Sequence, residues 1–137
     1  NGLGFSPDGT ILYHSDSRRQ TVRAYSVFAD GSVSAWRAFA SVTDGIPDGL
    51  AVAVDGSVWV ANADGGCVAV FEPDGSKRAE IPVPLPMVTS VCFGGANLKD
   101  LYVVTGSKGG PHENCGTIYR MPAPVAGLPL AAAAIPL

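Results

Sequence analysis

The sequence predicts an all-β fold, a β-propeller of which this chain holds about three four-stranded blades. Three observations carry that prediction. Asn1-Gly2-Leu3-Gly4-Phe5-Ser6-Pro7-Asp8-Gly9 and Pro47-Asp48-Gly49-Leu50-Ala51-Val52-Ala53-Val54-Asp55-Gly56 repeat one phrase. Each runs polar–Gly–Leu–small–apolar and then turns at Asp-Gly. A looser third copy starts at Thr89, with Thr89-Ser90-Val91-Cys92-Phe93-Gly94-Gly95 followed by Leu101-Tyr102-Val103-Val104-Thr105. A period of about 40–50 residues built from short strands is the mark of a propeller blade.

The elements follow in order. After the Asp8-Gly9 turn, Ile11-Leu12-Tyr13-His14 reads as a strand, and Thr21 to Val27 alternates at period two. Val33 to Phe39 is expected to form an outer strand, with Trp36 as a packing residue. In the second blade, Ser57-Val58-Trp59-Val60-Ala61 is followed by Gly66 to Phe71 and Lys77 to Val83. In the third, Gly116 to Met121 follows the Leu101–Thr105 strand. Asp-Gly pairs between alternating apolar runs signal hairpins. No long stretch keeps a helical period, so no helix is expected. Residues 106–115 are Gly-rich and polar and read as an exposed loop. That loop holds His112, Glu113 and Cys115, whose spacing fits no common zinc pattern. Ala131 to Leu137 reads as a terminal strand or tail.

Composition narrows the function classes. The chain has 137 residues, 9 basic against 12 acidic, and a net charge of −3. No basic cluster larger than Arg18-Arg19 or Lys77-Arg78 exists, which disfavours a nucleic-acid partner. No apolar run is long enough to span a bilayer, so no membrane partner is expected. Cys67, Cys92 and Cys115 show no C-x-x-C spacing, so neither a zinc site nor a disulfide framework is expected. Cys92 is expected in the core. A reducing, cytoplasmic setting is favoured.

Propellers close rings of 4–8 blades. Three blades without an initial Met are therefore read as a fragment, residues 1–137 forming the C-terminal half of a larger propeller domain. The alternative is a small module that completes its ring with another chain. Open blade edges would favour self-association.

The phase of the repeat locates the chemistry. Asn1, Asp48 and Thr89 occupy equivalent points just before the innermost strands, so they are expected to face one mouth of the central channel. Asn and Asp offer hard oxygen ligands suited to Ca²⁺, Mg²⁺ or Mn²⁺ and accepted by Zn²⁺. Asp before Gly is also an ordinary turn residue, and that role is expected for Asp8, Asp55 and Asp74. Asp48 taken alone reads as a turn residue too; its agreement with Asn1 in repeat phase points instead to a ligand. His14 is expected to be structural.

From Asn1 to about Tyr119 the chain resembles the C-terminal half of the SMP-30/gluconolactonase/regucalcin family. The matching residues are Asn1-Gly2-Leu3 with Ser6-Pro7-Asp8-Gly9, Leu12-Tyr13 with Asp16-Ser17, Ile46-Pro47-Asp48-Gly49-Leu50, and Val58-Trp59-Val60-Ala61. Gly65-Gly66, Phe71 with Pro73-Asp74-Gly75, and Thr89 to Gly95 with Leu101-Tyr102-Val103 complete them. The resemblance implies a six-bladed ring with one divalent metal (Ca²⁺, Zn²⁺, Mn²⁺ or Mg²⁺) in its channel and hydrolysis of lactones, often sugar lactones such as gluconolactone. It implies that Asn1 and Asp48 are metal ligands and that Asp48 also accepts a proton from the attacking water. The family's Glu ligand and its sugar-contacting Arg and Asn have no counterpart here; they would lie upstream of residue 1. The loop at 106–115 is shorter than is usual in the family. The competing expectations are a non-enzymatic Ca²⁺-binding or scaffold propeller, and a propeller hydrolase acting on phosphotriesters or aryl esters.

Overall fold

The computed structural model describes residues 1–107 and 116–130. Its strands are β1 (Leu3–Phe5), β2 (Ile11–Asp16), β3 (Thr21–Ser26), β4 (Arg37–Ser41), β5 (Ile46–Val52), β6 (Val58–Ala63), β7 (Cys67–Phe71), β8 (Lys77–Pro82), β9 (Val88–Gly94), β10 (Asp100–Thr105) and β11 (Ile118–Pro122). They form three antiparallel meanders, β1-β2-β3-β4, β5-β6-β7-β8 and β9-β10-β11. These are successive blades of a β-propeller. The third has three strands among the described residues. The only helical element there is a single 3₁₀ turn, Ser17–Arg19, capped by the Asp16 carboxylate, which accepts from Arg19 N at 3.2 Å.

The turns explain the Asp-Gly repeats. At Asp8, Asp30, Asp55 and Asp74 one carboxylate oxygen accepts both the backbone N–H and the hydroxyl of the residue two positions on. That residue is Thr10, Ser32, Ser57 or Ser76, and the intervening glycine takes a left-handed φ, +72° at Gly9 and +83° at Gly56. This is the self-capped Asx turn that makes Asp-Gly a hairpin signal. It confirms the turn role of Asp8, Asp55 and Asp74.

Blades stack through two apolar layers. Tyr13, Val22, Phe39, Leu50, Val58 and Val60 fill the space between the first and second. Trp59, Ala61, Val68, Val91, Leu101 and Val103 fill that between the second and third. Rings meet at each layer: Tyr13 and Phe39 lie 4.7 Å apart, and Trp59 meets Phe93 edge-on at 5.3 Å. Along β6, Val58 and Val60 point one way and Trp59 and Ala61 the other, so every residue of that strand is buried. A sheet covered on both faces reads as an unbroken apolar run rather than an alternating one.

Two expectations are corrected. The outer strand of the first blade begins at Arg37 rather than Val33. Val33 forms only an isolated bridge to Val27 beside the Asp30-Gly31 turn. Trp36 then swings out, half-exposed, beneath the Arg23 guanidinium at 4.4 Å. That contact bears out its packing role. Cys92 is exposed, while Cys67 is buried. In β9 it is Val91 that enters the core, and its neighbour Cys92 projects to the other side of the pleat. The His112, Glu113 and Cys115 loop and the Ala131–Leu137 tail lie outside the described residues.

After β11 the chain returns beneath the second blade. Leu128 N donates to Val52 O and Val54 N to Ala126 O, both at 2.9 Å. This segment lies along the end of β5 remote from Asp48.

Candidate functional site

Asp48 does not sit in a turn. It lies inside β5, where the ladder slips: Pro47 pairs with Asn62 and Leu50 with Val60. Asp48 and Gly49 therefore oppose the single residue Ala61, which is a β-bulge. Bulges re-aim side chains and concentrate beside functional sites. The ladder of the third blade slips at the same phase, where Val104 pairs with Ser90 and Thr105 with Val88, leaving Thr89 as the extra residue. The repeat thus carries a backbone irregularity as well as a sequence phrase.

Asn1 and Asp48 are brought together across a blade boundary. Gly2 N donates to Asp48 O at 3.1 Å. A methyl group on Gly2 would lie 2.5 Å from Leu50 N and 2.6 Å from Asp48 O. One on Gly49 would lie 2.6 Å from Ser90 Oγ and 2.8 Å from Ser90 Cα. The glycine after each candidate ligand is therefore the point where the next blade closes in, which explains the polar-Gly phrase.

The Asn1 amide is tethered too. Its Nδ2 donates to Ser17 Oγ at 3.2 Å, and Ser17 Oγ donates to Pro47 O at 2.7 Å. Sequence reasoning placed Ser17 only as part of a matching phrase. Its partner stands 30 positions away, so no local signal marks the connection. Asn62, across the ladder from Pro47, steadies the adjoining loop by donating from Nδ2 to Asp44 O at 3.1 Å.

The electrostatics separate Asp48 from the aspartates of the self-capped Asp-Gly turns. Hydrogen bonds from Ser and Thr hold Asp8, Asp30 and Asp74 below the ordinary carboxylate range. Asp48 accepts no such bond from the described residues. Burial pushes its carboxyl above the ordinary 3.8. The half-buried carboxylate thus keeps its oxygens free of hydrogen-bond donors among the described residues. Asn1 Oδ1 is a neutral oxygen on the neighbouring blade, its Nδ2 being committed to Ser17.

Thr89 behaves differently, since its hydroxyl donates to Val104 O at 3.2 Å, within its own blade. His14 Nε2 lies 3.5 Å from Asn1 N, and burial together with the Arg23 charge lowers its pKa. Among the described residues no three His, Cys, Asp or Glu side chains converge as a metal cluster. A cavity of about 500 Å³ lies farther along the innermost strands, lined by Leu3, Leu50, Val52, Val91 and Leu128. It touches neither Asn1 nor Asp48. No helix among the described residues is long and apolar enough to cross a membrane.

Known proteins bear on this arrangement. The SMP-30/gluconolactonase/LRE-like region matches residues 1–107. The chain is 36% identical over 142 aligned positions to the pentonolactonase XacC of Haloferax volcanii, covering 94% of this chain and 49% of that protein. It is 40% identical over 108 positions to the 6-deoxy-6-sulfogluconolactonase of Pseudomonas putida, covering 77% of this chain and 37% of that protein. Among solved structures, a luciferin-regenerating enzyme superposes with a TM-score of 0.82 at 30% identity, over 93% of this chain and 47% of its own. The chain thus spans about half or less of the length of these relatives. Repeat, fold and these matches agree: the chain belongs to the SMP-30/gluconolactonase/LRE-like family.

Proposed function

We propose that this chain supplies part of the channel site of a divalent-metal-dependent lactonase, acting on a sugar lactone, and that it forms the C-terminal half of a six-bladed propeller. The observation that carries the reading is the Asn1–Asp48 pairing. The backbones that carry an amide and a donor-free carboxylate on adjacent blades are joined by the Gly2 N to Asp48 O bond, and Asp48 stands on a bulge. The lactonase names of the two relatives supply the reaction class.

The donor set fits a hard cation. Asp48 carries the charge and Asn1 Oδ1 a neutral oxygen; further ligands would come from blades outside this chain. When bound, such an ion supplies Lewis-acid stabilisation of a developing oxyanion. The chain's own part is to hold and to move a proton. Asp48 has two oxygens, so one can serve as a ligand while the other accepts a proton from the attacking water. Burial raises its basicity in that role. Asn1 neither gains nor loses a proton and acts only as a ligand. On this reading the 137 residues alone are inactive, because they hold two of the ligands.

The test is gluconolactone hydrolysis by the whole protein, followed by proton release. It is run after chelation and again after adding Ca²⁺, Mn²⁺, Zn²⁺ or Mg²⁺. Turnover that is lost on chelation and restored by one of these ions supports the reading. A folded, metal-loaded protein that turns over no lactone contradicts it and moves the assignment to a non-enzymatic Ca²⁺-binding or scaffold protein.

A further inference from the structure

We infer that Ser17 is a positioning residue that sets which end of the Asn1 amide faces the channel, an inference that rests on the metal-site reading above. The argument is one of hydrogen-bond polarity. Pro47 has no N–H, and its carbonyl can only accept, so at 2.7 Å the single proton of Ser17 Oγ is committed to Pro47 O. What remains on Ser17 Oγ are lone pairs, which can only accept. The Asn1 atom facing it at 3.2 Å is therefore the donor, Nδ2. Oδ1, the only amide atom able to bind a cation, is turned away from Ser17. The same hydroxyl fastens Asn1 to the residue immediately before Asp48, so both candidate ligands share one support.

Ser17 is itself held firmly. It opens the 3₁₀ turn, whose N-cap is Asp16; the Asp16 carboxylate also pairs with Arg23. Gln20, in a left-handed conformation at φ +51°, closes the turn by donating its N–H to Ser17 O at 3.3 Å. Gln20 Nε2 reaches Gly45 O at 2.8 Å, just before β5. The turn thus docks on the second blade at two points flanking the start of β5. Groups that orient a metal ligand typically alter affinity by about 10–100-fold when removed.

The experiment is calorimetric titration of Ca²⁺ into the chelator-stripped whole protein. It compares wild type, Ser17→Ala, Ser17→Thr, Asn1→Ala and the Asn1→Ala/Ser17→Ala double variant, with Asp48→Asn as the control. Ser17→Ala is expected to weaken Ca²⁺ about tenfold, and Ser17→Thr, which keeps the hydroxyl, to bind like wild type. In the Asn1→Ala background Ser17→Ala is expected to cost nothing more, because its effect runs through the Asn1 amide. Wild-type affinity in Ser17→Ala overturns the inference. So does a loss in Ser17→Thr equal to that in Ser17→Ala, or an equal loss with and without Asn1, since either marks a purely structural role. If Asp48→Asn also binds like wild type, the metal-site reading itself fails and this inference with it. If Asp48→Asn loses binding while Ser17→Ala keeps it, only this inference fails.

Discussion

Gly2 donates its backbone N–H to the carbonyl oxygen of Asp48 at 3.1 Å, so two adjacent blades touch at one candidate ligand, Asp48, and at the residue that follows the other, Asn1. The contact requires a missing side chain. A methyl group at Gly2 would fall 2.5 Å from a backbone nitrogen of Leu50, which cannot move away as a flexible side chain would. Gly2→Ala is therefore expected to force the first two blades apart. The expected loss is about 1–3 kcal/mol of stability, typical of overpacking. Divalent-metal affinity is expected to fall as well, because the displaced backbone carries Asn1 with it. Chemical denaturation and metal titration of the whole protein check both. A variant with unchanged stability would mean that the blades are not pinned here.

Asp48 is expected to reduce stability in the absence of metal. Its folded-state pKa is raised by burial, so the folded chain binds this proton more readily than the unfolded chain does. That penalty is absent below the ordinary value of 3.8, appears as the pH rises through the shifted range, and is complete above it. Asp48→Asn is therefore predicted to be at least as stable as the metal-free wild type at neutral pH, with the two curves converging below about pH 4. Urea unfolding of the chelated proteins across that range tests the sign. A variant less stable than wild type at neutral pH would show that Asp48 is structural.

Asp55 offers the contrasting case. Its carboxylate accepts Ser57 N at 3.0 Å, Ser57 Oγ at 2.6 Å and Arg78 Nη1 at 2.8 Å, and Ser57 Oγ in turn accepts Trp59 Nε1 at 3.0 Å. Ser57 is fully buried. Asp55→Ala is predicted to strand that hydroxyl and cost about 1–3 kcal/mol. Metal affinity, by contrast, is predicted to stay at the wild-type level. Unfolding and metal titration on one preparation separate the two effects.

The blade pattern is legible in the sequence because its causes are local. Thr21 to Ser26 alternates at period two, and the Asp-Gly turns cap themselves with their own side chains. A Thr or Ser at the third position marks the self-capped Asp-Gly turns; Asp44 and Asp64, followed by Ile46 and Gly66, lack it as Asp48 does. Asp8, Asp30, Asp55 and Asp74 are followed two residues later by Thr or Ser, which bonds back to them. Asp48 is followed by Leu50, which cannot, and it alone of these aspartates sits on a strand bulge. Three things escaped the reading. Cys92 sits in an apolar run that does not state which face of β9 is covered. The start of β4 is set where Arg37 pairs with Ala24 of β3. Ser17 acquires its role from Pro47 in another blade. Each is decided by a partner distant in sequence.

The measurement that bears most directly on the account is a Ca²⁺ titration of the whole protein as wild type, Asp48→Ala and Asp74→Ala. Both aspartates stand in a Pro-Asp-Gly phrase, but only Asp48 lies on the bulge facing Asn1. The account predicts one site that disappears in Asp48→Ala and persists in Asp74→Ala. Retention of that site in Asp48→Ala would contradict it.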